Sequence, residues 1–256
     1  GGDNTAIGKD ALTANTSGQR NIAVGSQSLL SNTTGNKNIG IGYEALGDNT
    51  TGLENVAIGH AALEKNTTAN NNVAVGSSAL VANTTGTENV VVGASALDAN
   101  TTGDKNIAIG YAALTTATTA DDNIAIGNTA LGANTTGHSN IAIGTQALDA
   151  NTTANNNTCV GHLSMTANTT GTENSAFGGY SLANNEGGAE NTAIGYFASN
   201  SNTSGNKNTS VGVQALRLTT TASNNTAVGY FALQANTTGA EQVSVGALAL
   251  DANTTG

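Results

Sequence analysis

The chain has no proline, no tryptophan and one cysteine, and its aromatic residues are five tyrosines and three phenylalanines in 256 residues. Without proline, every backbone N–H after the first residue can join a hydrogen-bonded ladder. A single cysteine, Cys159, leaves no intrachain disulfide. Charge is scarce as well: seven Lys and Arg against seventeen Asp and Glu, a net charge of −10. Phosphate backbones are held by clustered basic residues, and seven scattered ones form no such patch, so nucleic acid is excluded as a partner. No apolar run reaches the roughly 18 residues of a membrane span. Low charge with few aromatics is also the composition of disorder, but Ile, Val and Leu recur here at fixed intervals, which disordered segments do not require.

The interval is what the chain does have. From Asn4 onward the sequence divides into fourteen 17-residue units and a fifteenth that stops two residues short, with no insertion or deletion. The unit is clearest in residues 140–156, NIAIGTQALDANTTANN. Position 1 is Asn in every unit but the last, where it is Gln242; position 4 is Ile or Val except for Phe177; position 5 is always Gly. Position 8 is Ala or Ser, position 9 is Leu except for Met165 and Ser199, and positions 12 to 14 are usually Asn-Thr-Thr. A fixed period near 20 residues is the signature of a solenoid, in which each unit contacts only its neighbours. One continuous array over residues 1–256 is expected, a window from a longer one, because neither end carries an atypical capping unit.

Within the unit, N-I-A-I-G alternates with the period of a strand, and its β-branched residues suit one. The invariant glycine and the Asn-Thr-Thr-Gly stretch interrupt any helical stripe. Each unit therefore reads as a coil: strand, Gly turn, a shorter extended piece carrying Ala-Leu, and a second turn. The expected fold class is all-β, a parallel β-solenoid or β-roll of about fifteen 17-residue coils. Positions 4 and 9 are the expected core, stacked as an aliphatic file and a leucine file, while the small residues at positions 3 and 8 leave a smooth outer surface where chains could approach. Asn at position 1 is expected to form an inward ladder, each amide bonding the next. Position 17 alternates in charge at Lys37/Glu54, Glu88/Lys105/Asp122 and Glu190/Lys207, pairs that favour parallel register.

The segment N-x-A-[IV]-G-x-x-A-L, as in Asn106–Leu114 (NIAIGYAAL), resembles the head repeats of trimeric autotransporter adhesins of the YadA type, and related repeats of phage tail fibres. The resemblance covers the first nine positions of nearly every unit; the family repeat is shorter, and Asn-Thr-Thr-Gly lengthens the coil here. It implies a left-handed β-roll, three chains side by side, and an extracellular fibre that attaches to a surface. The partners it implies are copies of the chain itself, as a trimer or filament, and a host-surface protein or glycan.

Asn-x-Thr/Ser sequons recur at position 12, at Asn15, Asn32, Asn49, Asn66, Asn151 and Asn253 among others, and would accept glycans in a secreting host. The same residues are ordinary turn chemistry. Regular threonines also raise an ice-binding surface as the alternative function. The Gly-Gly pairs lack a calcium-binding repeat pattern, the three histidines are scattered, and no base recurs beside Cys159, so neither cofactor nor catalytic group is expected and the chain reads as a non-enzyme. One irregularity remains. Seven of the eight aromatics occupy positions 6 or 7, and five of them, Tyr180, Tyr196, Phe197, Tyr230 and Phe231, crowd the final third, where position 2 changes from Ile/Val to Thr/Ser. They form the candidate interaction surface.

Overall fold

A computed structural model describes residues 2–255, which carry fifteen three-residue strands and no helix. The chain forms two compact units, Gly1–Ala125 and Ile126–Gly256. In the first, the strands are β1 (Thr5–Ile7), β2 (Ile22–Val24), β3 (Ile39–Ile41), β4 (Val56–Ile58), β5 (Val73–Val75), β6 (Val90–Val92) and β7 (Ile107–Ile109), with β8 (Ile124–Ile126) at the boundary. In the second they are β9 (Ile141–Ile143), β10 (Thr158–Val160), β11 (Ser175–Phe177), β12 (Thr192–Ile194), β13 (Thr209–Val211), β14 (Thr226–Val228) and β15 (Val243–Val245). Neighbours in each unit pair in parallel, and each residue faces its counterpart 17 positions on: Ile39 with Val56, Thr192 with Thr209. Both units are parallel β-solenoids built from one coil per repeat, the architecture expected from the period.

The ladder does not end with the strand. Leu29 N donates to Ala45 O at 3.0 Å, Thr33 N to Thr50 O at 2.9 Å and Lys37 N to Gln19 O at 2.9 Å, so successive coils are bonded around most of their circumference. Glycine at position 5 is obligatory in this geometry. Gly59 has φ +137°, and a Cβ there would run into the carbonyl of Gly76. Only glycine reaches that backbone region without strain.

The Ala-Leu piece is not extended as expected. Gln27 and Leu29 both adopt left-handed backbone, at φ 60° and 49°, and positions 7 and 9 repeat this in every coil. A left-handed L-residue costs about 1–2 kcal/mol. The conformation persists because the leucine it turns inward is fully buried and its N–H is bonded to the next coil.

The expected core needs a larger correction. The side chains of position 4 point outward: Ile58 is 37% exposed, whereas Ala57 before it and Leu63 after it are at 0%. The alternation itself is right, but its inward face is the opposite one. The lumen of so small a coil admits one leucine and two small residues, so Ala at positions 3 and 8 line the interior with Leu at position 9. The alanines are therefore the core, not a smooth outer surface.

Asparagine supplies the rest of the interior. The position-1 ladder forms: Asn38 N donates to Asn21 Oδ1 at 2.9 Å, Asn55 Nδ2 to Asn38 Oδ1 at 3.2 Å, and Asn38 Nδ2 to the Gly52 carbonyl at 2.7 Å. A second ladder runs through position 12, where Asn49 Nδ2 donates to Asn32 Oδ1 at 2.8 Å and Asn66 Nδ2 to Asn49 Oδ1 at 2.8 Å. Both converge on position 15, so that Gly52 O accepts from Asn38 and Asn49 together. Buried amides need such partners, since an unmet one costs about 1–3 kcal/mol.

Candidate functional site

Two outward surfaces follow from this packing. The first is the outer face of the sheet. With position 3 inside, positions 2 and 4 both face out, and in the first unit they form two files of β-branched side chains: Ile22/Val24, Ile39/Ile41, Val56/Ile58, Val73/Val75, Val90/Val92 and Ile107/Ile109. Apolar area left on a continuous sheet face is the kind of patch that marks an interaction site. In the second unit the position-2 file turns polar at Thr158, Ser175, Thr192, Thr209 and Thr226.

The second surface lies just after the Gly turn, where positions 6 and 7 of the second unit place their aromatics on one side. Tyr180 and Phe197, one coil apart, stack face to face with centroids 4.9 Å apart and planes 2° from parallel. Tyr196 meets Phe197 edge-on at 4.5 Å and Tyr180 edge-on at 6.0 Å, and His162 meets Tyr180 edge-on at 5.5 Å. The Arg217 guanidinium lies 5.4 Å over the Phe197 ring and donates to Gln214 Oε1 at 3.0 Å. Gln234 donates to the same oxygen at 2.9 Å. Tyr230 and Phe231 pack together at 4.2 Å. The structure thus joins Tyr180, Tyr196 and Phe197 in one cluster, with Tyr230 and Phe231 as a pair one coil beyond Gln214. His162, Asn200, Gln214, Arg217 and Gln234 complete this face and are not evident from the aromatic count. The signal for them was the columns: positions 6, 7 and 10 of adjacent units.

The sequon asparagines sit elsewhere than their motif suggests. Asn32, Asn49, Asn66 and Asn151 are fully buried, their amide nitrogens donating to the ladder and to position-15 carbonyls. A glycan on those nitrogens has no space in the folded coil, so the acceptor expectation is corrected for these sites; Asn15 and Asn253, in the end coils, are half-buried. Of the paired threonines, position 13 uses its hydroxyl on the next coil, as Thr33 Oγ1 does on Thr50 O at 3.0 Å, and is half-buried in most coils of the first unit. Position 14, as at Thr34, Thr51, Thr68, Thr85 and Thr102, is exposed.

Cys159 is buried, with its thiol 3.2 Å from the Met165 sulfur, and burial pushes its pKa far up, which holds it as an unreactive thiol. The charge pairs Lys37–Glu54 at 2.5 Å and Lys207–Glu190 at 3.9 Å bridge adjacent coils as expected from their column, but are solvent-exposed and contribute little. Among the described residues no group of three or more His, Cys, Asp or Glu could hold a metal, and no helix is long and apolar enough to cross a membrane.

These features define a class: a parallel β-solenoid repeat protein with a polar-laddered interior and an aliphatic exterior face. No protein family, curated protein or solved structure matches the chain.

Proposed function

We propose that this chain is a segment of an extracellular structural fibre or adhesin whose copies associate laterally through the outer sheet face. The observation that carries the reading is the pair of outward Ile/Val files in the first unit, where side chains such as Ile41, Ile58, Val92 and Ile109 remain more than a third exposed. A solenoid that folds on its alanines and asparagines has no need of these residues for its own core. A second copy presenting the same files offers an apolar surface of the same repeat. The resemblance to adhesin head repeats favours three chains around that face, and an extracellular setting.

Sedimentation velocity tests the reading. The native chain is expected to sediment as a discrete oligomer, and the variant with Ile41, Ile58, Val92 and Ile109 all changed to Ser as a folded monomer. A native chain that stays monomeric at high concentration would remove it. The ice-binding alternative draws on the exposed position-14 file, Thr34, Thr51, Thr68, Thr85 and Thr102 in the first unit. It is the weaker reading, because that file lies in a turn and the outer sheet face of the first unit is aliphatic. Thermal hysteresis in the native protein would promote it.

A further inference from the structure

We propose that the aromatic face of the second unit binds an extended, uncharged polysaccharide of β-1,4-linked pyranose units lying along the direction in which the coils stack. Two kinds of ring occur on this face. Tyr180 and Phe197 are half-buried and stacked on each other, and their job is packing. Tyr196 and Tyr230 are 50% and 54% exposed, which packing does not require. These two share position 6 and are separated by one intervening coil, so at about 4.8 Å per coil they lie about 10 Å apart. That is close to the disaccharide repeat of an extended β-1,4-linked chain, in which every second sugar presents the same face.

The chemistry beside the rings suits such a chain. A pyranose has an apolar C–H face, which stacks on an aromatic ring, and equatorial hydroxyls, which need donors and acceptors at its edges. Here Gln214, on the coil between the two tyrosines, accepts at 2.9 Å from the amide of Gln234 on the Tyr230 coil, and the Asn200 amide, on the Tyr196 coil, donates to the Tyr180 carbonyl at 3.0 Å. Each exposed ring has an amide on its own coil, Asn200 with Tyr196 and Gln234 with Tyr230, and the coil between them carries Val213 and Gln214. That mixture of rings and amides fits a polymer of sugars better than an apolar protein partner. Positions 6, 7, 10 and 11 carry no Asp or Glu from His162 to Ala235, in a chain of net charge −10. The single arginine on the face, Arg217, is already engaged by Phe197 and Gln214. A face with no acidic group and an internally paired cation selects an uncharged glycan.

The proposal does not depend on whether the chains associate. Its test is affinity electrophoresis of the full chain through gels containing hydroxyethylcellulose, with titration of cellohexaose and chitohexaose by calorimetry. The native chain is expected to be retarded by the polymer and to bind at least one of the two oligosaccharides. Each ring is worth about tenfold in affinity, so Tyr196→Ser with Tyr230→Ser should lose binding roughly a hundredfold with an unchanged circular dichroism spectrum. Tyr196→Phe with Tyr230→Phe should keep it, and Tyr43→Ser with Tyr111→Ser, in the first unit, should leave it intact. Absence of binding by the native chain, or equal binding by the double Ser variant, overturns the proposal. So does a double Ser variant that loses self-association while no glycan binds either form, since the rings would then be a contact between chains.

Discussion

The two units share a backbone and differ in what they hang on it. In the first, position 9 is Leu in every coil from Leu12 to Leu114, and position 2 is Ile or Val from Ile22 to Ile107. In the second, Met165 and Ser199 replace leucine, Cys159 and Ser210 replace alanine, position 2 is polar over five coils, and six of the eight aromatics appear. Yet strand register and inter-coil bonding are the same in both. The difference teaches that the coil is set by the ladder, the position-5 glycine and the two asparagine columns, and that side chains elsewhere vary as long as neighbours compensate. The irregular core of the second unit is compensated in pairs: Ser199 Oγ meets Ser210 Oγ at 2.9 Å, Ser164 Oγ meets Ser181 Oγ at 2.9 Å, and the Cys159 thiol meets Met165 at 3.2 Å. A hydroxyl facing another hydroxyl is satisfied where a hydroxyl facing leucine would not be.

The largest effect should separate inside from outside in both units. Ala57→Asp and Ala193→Asp each place a carboxylate in a fully buried site and should cost several kcal/mol, enough to unfold the coils around them in a thermal melt. Ile58→Asp should melt close to the native chain yet weaken association, and Ile194→Asp, flanked by Thr192, should change neither. Loss of folding in Ile58→Asp, or loss of association in Ile194→Asp, would break the comparison.

A smaller effect concerns the position-12 ladder. In the first unit it runs from Asn15 to Asn100 and stops at Ala117, which brings no polar side chain to it, and Asn49→Ala should cost about 1–3 kcal/mol by stranding buried amide groups above and below. In the second unit the interruption is polar, at Thr219. Its hydroxyl donates onward to Asn236 O at 3.0 Å, and the buried Oδ1 of Asn202 is left without a partner. Thr219→Asn should restore the donor and raise stability by about 1 kcal/mol in denaturant titration. A fall in stability would show that the ladder is not what limits this coil.

The smallest is electrostatic. Asp149, half-buried, has its carboxyl pushed above the ordinary range by burial, against a hydrogen bond with the Gly132 backbone that lowers it. A folded pKa above the unfolded one means that folding favours the protonated form, so stability from this group is gained as pH falls through the folded pKa and is missing at neutral pH. Asp149→Asn should therefore raise Tm slightly at pH 7, and the gain should shrink as the medium becomes acidic. A gain that is the same at every pH would assign the effect to something other than charge.

Sequence alone determined the period, and with it the solenoid: an unbroken 17-residue repeat with glycine always at position 5 leaves no other way to bury Leu and Ala. It also located the strand at N-I-A-I-G and the position-1 asparagine ladder, because alternation and an invariant amide are local facts. Which face of the alternation is inside was decided only by the closed coil. A strand's two faces are equivalent to its sequence period, and apolarity pointed to Ile and Val. The interior instead had room for Ala57 and Leu63 and left Ile58 outside. Left-handed backbone at Gln27 and Leu29 was equally illegible, since neither residue favours it in isolation and only burial and inter-coil bonding sustain it. The position-12 asparagines looked like turn residues or sequons, and became a buried ladder because stacking brings each amide within reach of the next. Composition along the chain fixes how the coil repeats; the width of the coil decides what each side chain faces.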